Sequence, residues 1–204
     1  MTIDRHAQLK SLQLYGMAAA WQEWRVEFAA QHRPVMPEVW LDRLIAAEQA
    51  DRHARRLSYQ LHAAKLPHHR DLIDFDWTES LLDKTHIGQL ATSSFMEQAN
   101  NLIFVGGTGT GKTHVASALA VSAIHQAKRV RFFNAVDLVN QLEKEKQLGK
   151  AGFLAKRLIQ MDAVIIDELG YLTFPQSGGA LLFHLISQLY EKTSDRSTVI
   201  RTKS

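Results

Sequence analysis

An eight-residue run from Gly106 to Thr113 restricts the fold of this chain more than any other feature: four of its residues are glycine, and it ends in Gly-Lys-Thr. The apolar run Leu102 to Val105 comes directly before it, and a stretch rich in alanine and valine follows. A strand, a G-x-x-x-x-G-K-[ST] run and a helix in this order are typical of a phosphate-binding loop. Because glycine lacks a Cβ atom, such a loop can turn its backbone amides inward and approach an anion closely. The sequence therefore predicts an α/β fold with a phosphate-binding loop after its first strand.

Each residue type in the loop has an expected role at a nucleoside triphosphate. We expect the ammonium of Lys112 to reach the β- and γ-phosphates as a catalytic point charge, and the Thr113 hydroxyl to bind Mg²⁺. The helix that begins near Lys112 adds the positive end of its dipole to the same anion. A glycine-rich surface turn that matches by chance is the alternative, and the position between a strand and a helix argues against it. The residues expected to bind the nucleotide are Gly106, Gly107, Thr108, Gly109, Thr110, Gly111, Lys112 and Thr113.

A second apolar run, Ala163 to Ile166, ends in two acids, Asp167 and Glu168. An acid at the carboxyl end of a parallel strand faces the crevice where ligands of open α/β sheets bind. We expect Asp167 to hold Mg²⁺ through water, and Glu168 to orient and polarise the water that attacks the γ-phosphate. A strand followed by a solvated acidic turn is the alternative, and the complete phosphate loop upstream argues against it. No guanine-reading Asn-Lys-x-Asp run occurs in the sequence, which favours ATP over GTP.

Short apolar runs alternate with helical ones after Asn101, which predicts a parallel sheet flanked by helices. The predicted strands are 102–105, 130–133, 163–166 and 198–200, and the predicted helices are 112–126, a helix from 136, and 180–190. Upstream of this region, apolar residues recur every three or four positions in two stretches, which predicts two amphipathic helices joined by a turn that contains prolines. We therefore predict a helical N-terminal domain at 1–70, a connector at 71–98 and an ATPase core at 99–204.

The two N-terminal helices each carry one apolar stripe. We expect Pro34 and Pro37 to end the first helix, the second to start at Glu38, and Pro67 to stop it. Core packing is the favoured role of the tryptophan and methionine residues, rather than cofactor binding. The predicted stripes are Leu14, Met17, Trp21, Trp24 and Phe28 on the first helix, and Trp40, Leu44, Ala47, Ala50, Ala54, Leu57, Leu61 and Ala64 on the second.

A basic face on the second helix is the candidate DNA contact, formed by Arg52, Arg55, Arg56 and Tyr59. Like charges four residues apart destabilise a helix, so the arginines favour an external anion such as the phosphate backbone. A solvated face is the alternative. A weaker candidate lies between the second and third core strands, where acids interleave with the bases. Its basic residues are Lys144, Lys146, Lys150, Lys156 and Arg157.

Composition excludes several classes of protein. The 204 residues contain no cysteine, which excludes disulfides and thiolate metal sites, and the ten histidines show no metal-ligand spacing. No apolar run is long enough for a membrane span, and the charged N-terminus does not have the pattern of a secretion signal. A formal charge of +3 permits an anionic partner without requiring one. We expect a soluble, cytoplasmic protein with no membrane partner.

Several runs closely resemble those of the IstB family of transposase-helper ATPases. They are Met161–Leu172, Leu181–Ile186 with Tyr190 and Glu191, the loop 106–114, the N-terminal Leu12, Leu14, Gly16, Met17 and Ala18, and the connector Asp74, Phe75 and Asp76. The resemblance covers nearly the whole chain. It implies an AAA+ ATPase fold related to the DnaC-type helicase loaders, a small all-α N-terminal domain, and ATP and Mg²⁺ as cofactors, with His114 among the nucleotide-binding residues. It also implies double-stranded DNA and a companion transposase as partners, and homo-oligomers on DNA in the bacterial cytoplasm.

The C-terminal residues depart from the family pattern. Members continue past a sensor strand that ends in asparagine, whereas Lys203 stands at that position here and the chain stops at Ser204. The resemblance thus implies a truncated core that lacks the arginine finger, an element worth roughly 10³ to 10⁵ in turnover. We expect ATP binding with poor hydrolysis, and an exposed apolar edge at residues 102–105.

Three other functions remain open. A DnaC-like helicase loader in DNA replication would share the same core. A nucleotide kinase would need an arginine-rich lid and an acceptor pocket, for which no segment is evident. A binding module that retains ATP and DNA but has little hydrolysis is the third.

Overall fold

The computed structural model describes residues 4–31, 37–68, 70–78, 80, 82–97, 100–169, 176–192 and 198–203. The chain divides into two compact units, Met1–Tyr59 and Gln60–Ser204. No helix in these ranges is both long enough and apolar enough to cross a membrane.

Three helices form the first unit: α1 (Arg5–Ser11), α2 (Tyr15–Gln31) and α3 (Pro37–Ala64), whose last five residues belong to the second unit. The short α1, capped by the Asp4 side chain, was not predicted. Pro37 was predicted to end the first helix, but it is the first residue of α3. Proline is tolerated at that position because the first helical N–H has no intrahelical partner. Pro34 lies outside the described residues.

Close packing joins α2 to α3. A Cβ atom on Gly16 would lie 2.4 Å from the Ala47 carbonyl oxygen, so only glycine fits there. The rings of Trp21, Trp24 and Trp40 form a half-buried cluster with centroids 5.2 to 5.6 Å apart. This agrees with the predicted packing role of the tryptophans. The side chain of Phe28 lies outside the described part.

The predicted stripe on α3 was wrong at two positions. Ala50 and Ala54 are exposed, whereas Glu48 is buried with only 5% of its surface exposed. The carboxylate can be buried because it receives several hydrogen bonds, which are described with the basic face below. Periodicity alone assigns such a residue to the solvent face.

The second unit contains a sheet of four parallel strands in the order β1-β4-β3-β2. The strands are β1 (Leu102–Val105), β2 (Val130–Asn134), β3 (Ala163–Asp167) and β4 (Thr198–Lys203). Ile200 of β4 pairs with Leu102 on one side and Ile165 on the other, so the last strand lies between the first and the third. The predicted parallel α/β sheet is confirmed.

Six helices in the described residues accompany this sheet, and those at α6, α7 and α9 were predicted. They are α4 (Lys84–Ala91), α5 (Ser94–Glu97), α6 (Lys112–His125), α7 (Ala135–Gln147), α8 (Phe153–Leu158) and α9 (Gln176–Lys192). Helices α4 and α5 lie in the segment predicted as a connector. The short α8 was not predicted. It follows Gly152, whose φ of 89° lies in the left-handed region.

The core of this unit lies around β3, and β1 lies at an edge of the sheet. Strand β3 is buried along its whole length, and it packs with α7, α8 and α9 into one core. Strand β1 pairs only with β4 among the described strands, so it lies at an edge. Ile103 and Val105 on that strand are 60% and 73% exposed, whereas Leu102 and Phe104 are partly buried, so the expected apolar edge is exposed on one face.

Candidate nucleotide site

The loop between β1 and α6 has the backbone conformation that its glycines allow. Gly109 and Gly111 have φ angles of 79° and 81°, in the left-handed region that other residues rarely adopt. Gly111 is the N-cap of α6 and has no side chain to bind the first amides of the helix. These amides therefore remain available to an anion at the positive end of the helix.

Lys112 lies across the loop. Its Nζ atom donates to the carbonyl oxygens of Gly106 and Gly107 at 2.8 and 2.6 Å. The Thr110 hydroxyl donates to the same Gly107 oxygen at 2.9 Å. No ion pair in the described residues involves Lys112. The ammonium thus contacts two backbone carbonyl oxygens that orient it without neutralising its charge, which leaves that charge for a phosphate contact.

Thr113, at the start of α6, lies beside Asp167, the last residue of β3. The Thr113 hydroxyl donates to Asp167 Oδ2 at 2.8 Å, and Asp167 is only 7% exposed at the end of β3. Hydroxyl and carboxylate oxygens are the hard donors that Mg²⁺ takes from proteins. Two residues that are 54 positions apart therefore present an oxygen pair that fits this cation.

Glu168 follows with a φ of 61°, and its backbone N–H donates to Asp167 Oδ1 at 3.0 Å. Its side chain contacts Asn134, whose amide donates to Glu168 Oε2 at 2.5 Å. Asn134 also caps α7, because its Oδ1 accepts the N–H of Val136 at 2.9 Å. One asparagine thus positions both the start of a helix and the proposed catalytic carboxylate.

Sequence reasoning missed Asn134, although a signal was present. It is the polar last residue of β2, and it pairs in register with Asp167 on the neighbouring parallel strand. Polar residues at the carboxyl ends of parallel strands meet at the ligand-binding edge.

Part of the connector lies against the loop. The Phe75 ring packs so closely on Gly111 that a Cβ atom there would lie 2.6 Å from Cε2. His114, one residue after Thr113, has Nε2 3.0 Å from the Asp71 carbonyl oxygen. Its ring meets Phe75 edge to face, with centroids 5.1 Å apart. None of these three contacts with the connector was predicted.

The predicted DNA face on α3 has internal partners. Arg52 Nε donates to Glu48 Oε1 at 2.7 Å, and Arg55 pairs with Asp51 at 2.7 Å while its guanidinium lies 4.9 Å from the Tyr15 ring centroid. Arg52 and Arg55 therefore each have a carboxylate partner within α3, and their contact with DNA stays a prediction. The acids one turn earlier on α3 supply the charge.

The carboxylate of Glu48 also caps α2. It accepts the N–H groups of Gly16 and Met17 at 2.9 and 3.2 Å. Burial alone would raise the pKa of this carboxyl, but the hydrogen bonds from Arg52, Met17 and Gly16 outweigh burial and lower it below 4.5.

Arg56 and Tyr59 remain exposed on the same helix, with Tyr59 at 74%. No ion pair in the described ranges involves Arg56. The weaker candidate, between β2 and β3, carries exposed apolar side chains beside its bases: Leu148 is 60% and Phe153 63% exposed. The exposed bases there are Lys144, Lys146, Lys150, Lys156 and Arg157.

Comparison with known proteins gives consistent results. The sequence model of the family described as IstB-like ATP binding protein matches residues 7–204. The chain is 34% identical over 187 residues to the ATP-binding protein of insertion sequence IS5376 from Geobacillus stearothermophilus, which covers 91% of this chain and 74% of that protein. It is 35% identical over 144 residues to the corresponding protein of IS21 from Pseudomonas aeruginosa. That alignment covers 70% of this chain and 54% of the relative. This chain thus spans about half the length of the second relative.

Among solved structures, the DnaC helicase loader matches with a TM-score of 0.52 and 26% identity, over 59% of this chain and 67% of that one. The match covers a P-loop AAA+ core, which is the fold that the family resemblance implied.

Proposed function

Because this chain belongs to the IstB-like ATP-binding protein family, we propose that it is an ATP-binding AAA+ helper of insertion-sequence transposition. The observation that carries the proposal is the Thr113–Asp167 hydrogen bond at 2.8 Å beside a complete phosphate loop. It joins the two motifs that a P-loop ATPase needs, and it does so at the carboxyl edge of the sheet. The relatives are themselves named as ATP-binding proteins of insertion sequences.

We propose that the loop amides and Lys112 bind the phosphates of ATP. Thr113 and Asp167 would hold Mg²⁺, which when bound neutralises charge on the β- and γ-phosphates. Glu168 would accept a hydrogen bond from the attacking water, and Asn134 would fix the position of that carboxylate. The products of this hydrolysis are ADP and inorganic phosphate.

Titration with a fluorescent ATP analogue in the presence of Mg²⁺ tests the binding step. We expect Lys112→Ala to weaken affinity about 100-fold, because a charge-assisted contact to phosphate is lost. Lys150→Ala, an exposed lysine outside the loop, is the matched control and should leave the affinity unchanged. Equal affinities of wild type and Lys112→Ala would overturn the proposal.

Hydrolysis is tested separately from binding. We expect Glu168→Gln to keep the affinity for ATP and to lose phosphate release, because the amide cannot polarise water as a carboxylate does. If Glu168→Gln releases phosphate at the wild-type rate, the role of Glu168 is wrong while the binding proposal stands.

We further propose double-stranded DNA and a companion transposase as partners, with the protein acting as a homo-oligomer on DNA in the bacterial cytoplasm. Support comes from the insertion-sequence relatives and from the cationic surfaces of both units. On α3 the proposed contacts are Arg52, Arg55, Arg56 and Tyr59, and we expect the largest contribution from Arg56, since Arg52 and Arg55 already have carboxylate partners.

The salt dependence of DNA binding tests the α3 surface. A duplex titrated at several salt concentrations should show a shallower slope of log affinity against log salt for Arg56→Ala, by about one unit per lost phosphate contact. Lys10→Ala, on the exposed face of α1, is the charge-matched control. An Arg56→Ala slope equal to that of wild type would remove α3 from the DNA interface.

A helicase loader is the second candidate, favoured by the likeness to the DnaC structure. Such a protein would bind a replicative helicase, whereas a transposition helper would bind its transposase. Pull-down of the purified chain with each of these partners separates the two functions.

A further inference from the structure

The three N–H donors of the Lys112 ammonium have three acceptors within the loop. Two are the carbonyl oxygens of Gly106 and Gly107, at 2.8 and 2.6 Å from Nζ. The third is the Thr110 hydroxyl oxygen, which lies 3.5 Å from Nζ and is therefore the weakest of the three contacts. Because an ammonium has only three donors, a phosphate oxygen that binds Lys112 must replace one of these acceptors. The Thr110 hydroxyl is the acceptor that is replaced most easily.

A second contact of the Thr110 hydroxyl fixes the direction of its proton. The hydroxyl oxygen lies 2.9 Å from the Gly107 carbonyl oxygen, and a carbonyl can only accept. The hydroxyl therefore donates to Gly107 and leaves its lone pairs for Lys112. Thr110 thus holds the same carbonyl oxygen on which the ammonium rests.

Hydrogen bonds, rather than packing, hold this part of the loop. Gly107 and Gly109 have no heavy atom within 4 Å of their Cβ positions, so no side chain packs on these two glycines. At Gly106 the nearest atom to the Cβ position is Thr110 Oγ1, at 3.2 Å. The Thr110 side chain therefore lies over the first turn of the loop, where its hydroxyl can fix the Gly107 peptide.

We propose that Thr110 is a positioning residue of the phosphate loop, whose hydroxyl fixes the Gly107 carbonyl that orients Lys112. This inference rests on the proposed binding of ATP. When phosphate binds, one of its oxygens replaces the 3.5 Å contact with Thr110, while Gly106 and Gly107 continue to orient Nζ. The Thr110 hydroxyl itself does not touch the phosphates in this proposal.

Thr110→Val tests the hydroxyl, because valine has nearly the same shape and cannot donate. The side chain is exposed, so the fold should tolerate the change. The probes are Mg²⁺-ATP and Mg²⁺-tripolyphosphate, which share the phosphate chain. We expect Thr110→Val to weaken both about threefold to tenfold, the range that one lost hydrogen bond gives. Thr110→Ser retains the hydroxyl and should bind both probes nearly as wild type does.

Thr92→Val is the matched control. The Thr92 hydroxyl also donates to a backbone carbonyl, that of Gln89 at 2.7 Å, and it is exposed at the end of α4 outside the loop. Its removal should change neither affinity. An equal loss in Thr92→Val and Thr110→Val would overturn the inference, because the effect would then be a general one on the fold.

A double-mutant cycle tests whether Thr110 acts through Lys112. We expect Thr110→Val to cause little further loss of tripolyphosphate affinity in a Lys112→Ala background, because the ammonium that it positions is then absent. The same fold loss in both backgrounds would overturn the inference, since Thr110 would then act independently of Lys112.

The remaining outcomes distinguish this inference from the proposed function. Wild-type affinity in Thr110→Val, combined with loss of both probes in Lys112→Ala, would overturn the inference and leave ATP binding intact. Equal losses in Thr110→Ser and Thr110→Val would also overturn it, because the hydroxyl would then not be the group that matters. If Lys112→Ala binds both probes normally, the proposed nucleotide site itself is wrong.

Discussion

The phosphate loop and the basic face of α3 both carry cationic side chains, but the groups that contact these side chains differ. Lys112 is held by the carbonyl oxygens of Gly106 and Gly107, which orient the ammonium without cancelling its charge. Arg52 and Arg55 are held by Glu48 and Asp51, which do cancel their charges. A cation is available to a ligand when dipoles position it, and much less available when a carboxylate does.

The largest expected effect comes from the loop. Gly111→Ala places a side chain at a φ of 81° and 2.6 Å from the Phe75 ring, so the loop and the connector must both shift. Left-handed strain costs about 1 to 2 kcal/mol and overpacking about 1 to 3 kcal/mol. We expect affinity for the fluorescent ATP analogue to fall about 30-fold or more.

Gly107→Ala is the control for this change, since a Cβ atom there meets nothing within 4 Å and its φ is not in the left-handed region. It should retain more affinity than Gly111→Ala. Equal affinities for the two variants would show that the left-handed turn and the Phe75 contact do not shape the site.

The second effect concerns α3. Glu48→Ala removes the acceptor of the Gly16 and Met17 amides and the partner of Arg52. We expect the first unit to lose about 2 kcal/mol of unfolding free energy, the range of a lost helix cap, with no change in ATP affinity. Urea unfolding followed by tryptophan fluorescence measures this, because Trp21, Trp24 and Trp40 all lie in that unit.

Glu48→Gln sharpens the comparison further. The amide keeps an acceptor oxygen for the α2 amides but leaves Arg52 without its counter-charge. If the carboxylate withholds Arg52 from DNA, then Glu48→Gln should bind duplex DNA more tightly, with a steeper salt slope. A slope unchanged from wild type would mean that Arg52 stays unavailable for another reason.

A smaller effect is expected at Asn134. Serine at this position can still cap α7 but cannot donate to Glu168 as the amide does. We expect Asn134→Ser to lower kcat about fivefold, the effect of about 1 kcal/mol, with an unchanged KM for ATP. Steady-state phosphate release checks this, and a change in KM alone would contradict a positioning role.

What the sequence could predict depends on how local each feature is. The loop conformation follows from glycines within eight residues, and the Thr113–Asp167 meeting follows from the rule that parallel strands end at one edge. The contacts of Phe75 with Gly111 and of His114 with Asp71 join segments about 40 residues apart, and no periodicity encodes them.

Glu48 on α3 makes both a local contact, which the sequence indicates, and contacts with another helix, which it does not. The pairing of Glu48 with Arg52 spans one helical turn and is visible in the sequence. Burial of Glu48 depends on the Gly16 and Met17 amides of another helix, which the apolar stripe did not reveal. The predicted stripe was therefore wrong where a hydrogen-bonded carboxylate replaced an apolar contact.

The smallest expected effect is a difference in acid sensitivity between wild type and Glu48→Gln. Hydrogen bonds from Arg52, Met17 and Gly16 outweigh burial and lower the pKa of Glu48 in the folded chain below its ordinary 4.5. A depressed pKa means that the carboxylate stabilises the fold fully above the unfolded value, and that this contribution is lost as the pH falls through the folded value. The wild-type first unit should therefore lose stability as the pH falls below about 4.5, by more than Glu48→Gln does. Tryptophan-monitored urea unfolding between pH 3 and pH 6, roughly the range in which carboxyl groups titrate, measures both curves. Parallel curves would show that the amide and the carboxylate cap α2 equally, and that the charge on Glu48 acts on the arginines rather than on the fold.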